Sequence, residues 1–291
     1  MERYAPDKIR LDSAKYTACT PPEEPPWGIR SSTTYINQES DFAHHWNARL
    51  EVGGRPVFYT PYFAHRTDDE RHTGFLLPSL EFSGARGTDI TQPFYWNIAP
   101  QLDATIGVRY MTRNGIMPQL EVRHLGPNIE SRIYGEYLPE DQTTGEDRYL
   151  LEAEQRGQLP GRIGYRLDGT RVSDPEYLSF FGSGVERGSK RFLISNLSLF
   201  RSFGPYRWRT TFTHHQDLQN FGSDTTLQEL PRMSLQGEQL LGGPFGFGWD
   251  SEYVYFFRKE GIRHHRAFVD PTLNLRLDSR FGSLVPQAGV H

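Results

Sequence analysis

Apolar and polar residues alternate along most of this chain, and the rhythm of the alternation changes near Gly74. Beyond that point the alternating segments are about ten residues long, the length of a strand that crosses a membrane. In the segment 102–112, Ile106, Val108 and Tyr110 share one face, whereas Asp103 and Arg109 lie on the other. The same period of two recurs in the segments 128–137, 149–156, 163–168, 206–213 and 247–257. Charges of both signs on one face and aromatic residues at segment ends predict an antiparallel outer-membrane β-barrel, with apolar side chains outward and charged ones inward.

The first 66 residues alternate short β-like runs with turns and predict a different module. In the run 46–52, Trp46, Ala48, Leu50 and Val52 fall on one face, the pattern of a sheet with one dry side. About sixty residues of strands without an obvious start are typical of the end of a sandwich or jelly roll. We therefore predict two domains, the C-terminal part of a β-jelly roll at 1–66 and the N-terminal half of a barrel at 67–291.

The connections between the predicted barrel strands differ in length according to the end at which they lie. Long polar connections are expected at 139–147, 172–190, 216–230 and 258–265, and tight turns at 126–128, 159–161, 203–205 and 241–245. Outer-membrane barrels have short periplasmic turns and longer external loops, so this alternation places the first module in the periplasm. We count about thirteen barrel strands, which would not close a barrel alone.

Composition narrows the class of protein further. The chain has 291 residues and a formal net charge of -4 with mixed signs throughout, which does not suggest nucleic-acid binding. No run of about eighteen apolar residues is present, so a transmembrane helix is excluded. The first six residues contain no apolar signal segment, and residues 283–291 stop within a strand pattern. We therefore expect the chain to be a piece of a longer protein.

Two prolines, Pro78 and Pro93, fall in the first two predicted barrel strands. Proline cannot donate a hydrogen bond to a strand ladder, so the pair suggests a sheet edge that pairs weakly. Two interpretations remain open at this point. Each proline could lie at a strand end or bulge, or the two together could thin the ladder of a seam that opens.

Three histidine pairs and a lone cysteine are further candidate sites. The pairs are His44 with His45, His214 with His215, and His264 with His265. Adjacent strand residues point to opposite faces, so a pair cannot chelate a metal from one strand, and we expect no metal site. Cys19 is the only cysteine, and a lone cysteine is most often a small buried apolar residue.

Several short motifs, in a fixed order across nearly the whole chain, resemble the LPS-assembly protein LptD family, also called the organic-solvent-tolerance family. They occupy residues 16–19, 25–27, 46–50, 56–59, 61–63, 74–79, 93–100, 103–105, 109–111 and 172–177. A family member has a signal peptide, a fuller jelly roll and about twenty-six strands. The resemblance thus implies the end of the jelly roll and the first half of the barrel.

The resemblance implies a non-enzymatic, cofactor-free role in inserting lipopolysaccharide (LPS) into the outer leaflet of the outer membrane. It implies a lateral gate at Pro78 and Pro93, and a disulfide from Cys19 to a cysteine outside this chain. It also implies an LPS path at the junction of module and barrel, formed by Phe58, Tyr59, Pro61, Tyr62 and Phe63.

The partners implied by the resemblance are LPS itself, outer-membrane lipids, the lipoprotein LptE as a plug inside the barrel, and the periplasmic bridge protein LptA. Two alternatives remain. A generic outer-membrane porin would need neither the leading module nor the prolines, and a soluble all-β carbohydrate-binding protein would stay in the aqueous phase without detergent.

Overall fold

The computed structural model describes residues 2–5, 7–17, 26–68, 70–182, 191–223, 225–279 and 282–289. The chain divides into two compact units, Met1–Arg71 and His72–His291. The division lies five residues beyond the boundary predicted from the sequence.

The first unit is a five-stranded antiparallel sheet in which each strand pairs with the next along the chain. Its strands are β1 (Glu2–Ala5), β2 (Lys8–Tyr16), β3 (Trp27–Asn37), β4 (Phe42–Val52) and β5 (Arg55–Arg66). Among the described residues β5 pairs only with β4, so it forms one edge of this sheet. The motif residues 56–63 therefore lie on an edge strand.

Two residues with an unusual backbone conformation lie in the middle of this sheet, on the two strands that flank β3. Ser13 and Asn47 have positive φ angles of 55° and 50°, and the strand register places them on either side of Ser32. The Asn47 side chain donates to Ser32 Oγ at 3.1 Å. The conformation at Asn47 interrupts the alternation predicted for β4. Ala48 is buried, whereas Trp46, which was predicted to share its face, is 41% exposed. The prediction of one continuous dry face from Trp46 to Val52 was wrong.

The second unit is built on one long antiparallel sheet of fourteen strands, here called the wall. Its strands are β6 (Gly74–Phe75), β7 (Ser79–Ser83), β8 (Gly87–Ala99), β9 (Leu102–Met111), β10 (Gly115–Gly126), β11 (Ile129–Leu138), β12 (Arg148–Leu159), β13 (Ile163–Val172), β14 (Phe192–Phe203), β15 (Tyr206–Asp217), β16 (Gln228–Gly242), β17 (Phe245–Phe257), β18 (His264–Leu275) and β21 (Gln287–Gly289). A separate two-stranded sheet contains β19 (Leu277–Ser279) and β20 (Gly282–Leu284). Since β6 and β7 pair with the same strand, the described part of the wall has thirteen strand positions, in agreement with the predicted number.

The two faces of the wall have opposite character, and the apolar face is the exposed one. In β9, Ile106, Val108 and Tyr110 are exposed, and Val108 has 49% of its surface accessible. On the other face of the same strand Asp103 and Arg109 are buried. A water-soluble sheet buries its apolar face, so this inverted arrangement is the one expected of a wall that faces lipid. The prediction that the apolar side chains point outward is confirmed.

The wall connections follow the predicted alternation in length. The links after β11, β13, β15 and β17 are long, whereas those after β10, β12, β14 and β16 contain two or three residues. Consecutive antiparallel strands place alternate connections at opposite ends. The long connections therefore share one end of the wall, as the sequence predicted.

Helix is scarce in the described part of the chain, where α1 (Tyr177–Phe181) is the one α-helix. The described residues contain no helix that is both long and apolar enough to cross a membrane.

Candidate functional site: the interrupted first strand and the polar face of the wall

The first strand of the wall is interrupted. Both β6 and β7 pair with β8, but residues 76–78 between them belong to no strand. The register shifts by one residue across the gap, because Phe75 is opposite Phe94 whereas Ser79 is opposite Thr91. Pro78 directly precedes β7. The sequence placed Pro78 inside a strand, and the structure places it at the end of the break.

Pro93 lies within β8, opposite this break. Its carbonyl oxygen accepts a hydrogen bond from Leu76 N at 3.0 Å. The N–H and C=O of a strand residue point to the same side of the strand, so the donor that Pro93 lacks would also face the first strand. The backbone ladder between the first two strands is therefore thinned at the break.

Gln92 supplies a hydrogen-bond donor at the break. Its side-chain Nε2 donates to Leu76 O at 2.8 Å and to Pro93 O at 3.0 Å. A side-chain amide thus replaces part of the missing backbone ladder. Sequence reasoning did not identify Gln92, and its position directly before a strand proline was the available signal.

Proline within a strand is not sufficient to mark this edge. Pro118 lies in β10, Pro231 in β16 and Pro271 in β18, all away from the first strand. What distinguishes the first strand is the break, its position at the end of the described sheet, and its exposed apolar side chains. Phe82 is 77% exposed, and Phe75, Leu76, Leu77 and Leu80 are also exposed.

In the first unit, β5 carries all five residues that the resemblance assigns to an LPS path. Phe58, Tyr59 and Tyr62 are exposed, Pro61 is exposed, and Phe63 is half-buried. Tyr59 donates its hydroxyl to Asn47 Oδ1 at 2.9 Å. The edge strand thus has an exposed aromatic surface next to Asn47, the residue of β4 with a positive φ angle.

A buried polar cluster lies in the same sheet. His45 Nδ1 is 2.9 Å from Thr34 Oγ1 and 3.3 Å from Ser31 Oγ, and these three side chains are almost fully buried. His45 Nε2 is 3.2 Å from His65 Nδ1, and the two rings stack with 5.0 Å between centroids. Burial, helped by the neighbouring His65 and His44, lowers the pKa of His45 to about 4. The imidazole therefore stays neutral at physiological pH.

The histidine pairing differs from the one that the sequence suggested. His44 and His45 point to opposite faces, as expected, and His44 bonds Tyr62 through its own Nδ1. The close partner of His45 comes from the neighbouring strand, which sequence spacing alone did not reveal. Cys19 lies outside the described residues.

The charged side chains of the wall form ion pairs between strands. Arg109 contacts both oxygens of Asp89, at 2.9 and 2.7 Å, and Arg123 Nε lies 2.8 Å from Asp103. The charges that the sequence assigned to a solvated wall take part in such pairs. Arg132 contacts Glu121, Glu152 and Glu154, and Arg156 contacts Glu130. These pairs recur from strand to strand and do not converge on a catalytic centre.

The main feature that the sequence analysis missed is the segment around α1, which was expected to be a long polar loop. Tyr177 is 0% exposed, and Leu178 and Phe181 are also buried. They join a core of residues from the wall: Met111, Met117, Leu138, Leu150, Val172 and Leu193. Three aromatic residues and a leucine within five positions, YLSFF, were the available signal.

The start of this segment is held by charge. Arg148 binds both oxygens of Asp174, at 2.9 and 2.7 Å, and lies 3.3 Å from Asp141. Burial alone would raise the pKa of Asp174, but hydrogen bonds from Arg148 and Ser173 hold that pKa below its usual value. Burial would also raise the pKa of Asp141, but hydrogen bonds from Thr143 and Asn114 lower it, so both carboxylates stay ionised beside the guanidinium.

An exposed apolar face, a charged opposite face and long connections at one end define the class of protein, a membrane β-barrel wall. A smaller five-stranded antiparallel sheet precedes it in the described part of the chain, and the predicted all-β fold class is confirmed. The family described as LPS transport system D matches residues 146–291, half of the chain, and the chain belongs to this LptD family.

Curated relatives match almost the whole chain. It is 34% identical over 97% of its length to the LPS-assembly protein LptD of Alkalilimnicola ehrlichii, and 31% identical over 93% of its length to that of Idiomarina loihiensis. It is also 31% identical over 94% of its length to the LptD of Pasteurella multocida. The chain spans 38%, 36% and 36% of these three relatives, respectively.

Proposed function

We propose that this chain is part of an outer-membrane LPS translocon. LPS would reach the first unit from the periplasm and leave through a lateral gate between the first strand and the last strand of a complete barrel. The observation that carries this proposal is the interrupted first strand, which combines a thinned ladder with exposed apolar side chains at the end of the wall. Membership in the LptD family supports the same function.

The physical chemistry of LPS fits the two faces of the wall. LPS has a charged polar head and several acyl chains, so its transfer needs a wet environment and an apolar one side by side. The charged face of the wall suits the head, and the exposed apolar face suits the lipid. An unpaired backbone group is costly in lipid, and the Gln92 amide lowers that cost by bonding two carbonyl oxygens at the break.

The remaining parts of the proposal concern partners and location. The first unit would be the C-terminal part of a periplasmic jelly roll that docks the bridge protein LptA, and the wall would surround LptE as a plug. Cys19 would form a disulfide with a cysteine outside this chain. The transfer would involve no covalent change in LPS.

Photo-cross-linking in the full-length protein tests the path. A photoreactive amino acid at Tyr59 or Phe63 is expected to capture LPS in cells, as is one at Phe75 beside the break. A probe at Leu159, exposed on the apolar face at the short-turn end of β12 and away from the first strand, serves as the matched control and is expected to give little LPS adduct. Failure of both Tyr59 and Phe63 to capture LPS would overturn the proposal.

The prolines give a second test of the gate. Pro93→Ala restores a backbone donor toward the first strand, worth about 0.5–1.5 kcal/mol for a hydrogen bond. Export of pulse-labelled LPS to the cell surface is expected to slow in this variant. Pro118→Ala, a strand proline away from the break, is the control and should export LPS at the normal rate. Equal rates in the two variants would count against a gate at Pro93.

A further inference from the structure

Helix α1 contacts the first hairpin of the wall, formed by β7, residues 84–86 and β8. Arg86 Nη1 donates to the carbonyl oxygen of Phe180 at 2.6 Å. Arg86 also binds Asp89 in β8 at 2.9 Å and Glu81 in β7 at 3.3 Å. One guanidinium therefore connects both arms of the hairpin to α1.

Helix α1 also contacts strands further along the wall. The Tyr177 hydroxyl donates to Glu136 Oε1 in β11 at 2.8 Å. The guanidinium of Arg148, at the start of β12, lies over the Phe181 ring, 4.6 Å from its centroid. The bidentate contact between Arg148 and Asp174 fixes the chain just before the helix. The helix is thus anchored to β11 and β12 independently of its contact with Arg86.

A polar cavity of about 220 Å³ lies where these three parts meet. Its lining includes Ser79 and Glu81 of β7, Tyr134 and Glu136 of β11, and Phe181 of α1. Gln119 and Tyr134 donate to Glu136 Oε2 at 2.9 and 2.6 Å. The hairpin, α1 and β11 therefore border one small polar space on the charged face of the wall.

The first strand is a short, interrupted edge of the described sheet. In the described residues β7 pairs only with β8, and the break at residues 76–78 separates it from β6. Its outward side chains Leu80 and Phe82 are exposed. The contacts of Arg86 therefore connect β7 to α1 on the charged face of the wall, in addition to the ladder between β7 and β8.

We propose that α1 is an internal brace for the first hairpin and that Arg86 is the positioning residue that connects the two. The docked helix holds β7 against the wall, and release of α1 frees β7 to move at the gate. This inference rests on the proposed function for the meaning of that movement, since it assigns control of the gate to the segment around α1.

Spin-label mobility in the full-length protein, in its native complex and in lipid bilayers, tests the brace. A spin-labelled unnatural amino acid at Phe82 reports on β7 without adding a cysteine, and the same label at Ile133 reports on the middle of the wall. In Arg86→Gln and in Phe181→Ala the spectrum at Phe82 is expected to shift from the immobile toward the mobile component. The spectrum at Ile133 is expected to stay unchanged.

Arg113→Gln is the matched control. Arg113 donates to Gly84 O in the same hairpin turn, but it has no hydrogen bond to α1 among the described contacts. Loss of the Arg113 guanidinium should leave the Phe82 spectrum unchanged. Tyr177→Phe removes one hydroxyl and keeps the ring, so it should give a smaller shift at Phe82 than Phe181→Ala. This mild variant keeps the test valid where a larger substitution prevents folding.

The brace is refuted if the Phe82 label is equally immobile in wild type, Arg86→Gln, Phe181→Ala and Tyr177→Phe. A shift in Arg113→Gln as large as that in Arg86→Gln also refutes the brace, because β7 would then respond to the loss of any side-chain hydrogen bond in the turn. The measurement needs no LPS. Increased mobility without LPS capture at Tyr59 and Phe63 would leave the brace standing and the proposed function refuted, and the reverse pattern would refute the brace alone.

Discussion

The first sheet and the wall bury polar side chains in different ways. In the first sheet the buried polar cluster is neutral: Ser31, Thr34 and His45 satisfy one another by hydrogen bonds. In the wall the buried polar residues include full charges, held as pairs such as Asp89 with Arg109. A neutral cluster depends on the protonation state of one imidazole, whereas an ion pair depends on the presence of its partner. The two regions should therefore lose stability under different perturbations.

The largest expected effect is in the wall, at Arg148. Arg148→Ala leaves Asp141, which is 0% exposed, and Asp174 without their guanidinium. Removing one partner of a buried ion pair costs about 3–5 kcal/mol. The urea midpoint of the bilayer-embedded protein, followed by its folded mobility on gels, should fall accordingly.

Arg156→Ala is the matched control for this prediction. Its pair with Glu130 is exposed on both sides, and exposed pairs are typically worth less than about 1 kcal/mol. Equal losses in Arg148→Ala and Arg156→Ala would show that the pairs of the wall do not differ with burial, and the contrast with the first sheet would weaken.

The next effect concerns the exposed apolar side chains of the two regions. Val108 in the wall and Val57 in β5 are both exposed, but only Val108 is expected to face lipid. Val108→Arg should cost about 2–4 kcal/mol near the middle of a bilayer. Val57→Arg, at a water-exposed edge, should change stability by no more than about 0.5 kcal/mol.

Urea titration of the full-length protein in bilayers measures the loss for Val108→Arg, and pulse proteolysis measures it for Val57→Arg. A negligible loss in Val108→Arg would mean that the exposed face of β9 does not contact lipid. The assignment of the wall to a membrane would then be wrong.

The smallest expected effect is the pH dependence of the first sheet. The pKa of His45 is about 4 in the folded sheet against 6.5 for a free imidazole. Between these values the unfolded chain binds a proton that the folded sheet excludes, so stability is complete above pH 6.5 and is lost as the pH falls toward 4. The full difference corresponds to at most about 3 kcal/mol at 1.36 kcal/mol per pKa unit.

Pulse proteolysis at pH 7.5 and pH 5, with fragments from residues 27–52 quantified, measures this loss of stability. His45→Gln removes the titrating group and should reduce the difference between the two pH values. A difference of the same size in His45→Gln would exclude His45 as its cause.

The residues predictable from the sequence are those whose environment follows from strand period. Alternation alone places Val108 and Arg109 on opposite faces, because neighbouring strand residues must point to opposite sides, and the charges of both signs on the Arg109 face predicted that Val108 is the outward one. The alternation failed at Trp46, because the positive φ angle of the next residue, Asn47, interrupts the regular succession of faces along the strand. Asparagine adopts this conformation more readily than most residues, but nothing in the run 46–52 required it to do so.

The sequence by itself determined the all-β class, the inverted polarity of the wall and the alternation of long and short connections. These properties depend on local period and on turn residues. Only the tertiary structure decided that the first strand breaks at residues 76–78, that Gln92 bridges the break, that His65 meets His45, and that α1 packs against the wall. Each of these depends on strand register or on contacts between residues distant in sequence, and the local pattern does not encode either one.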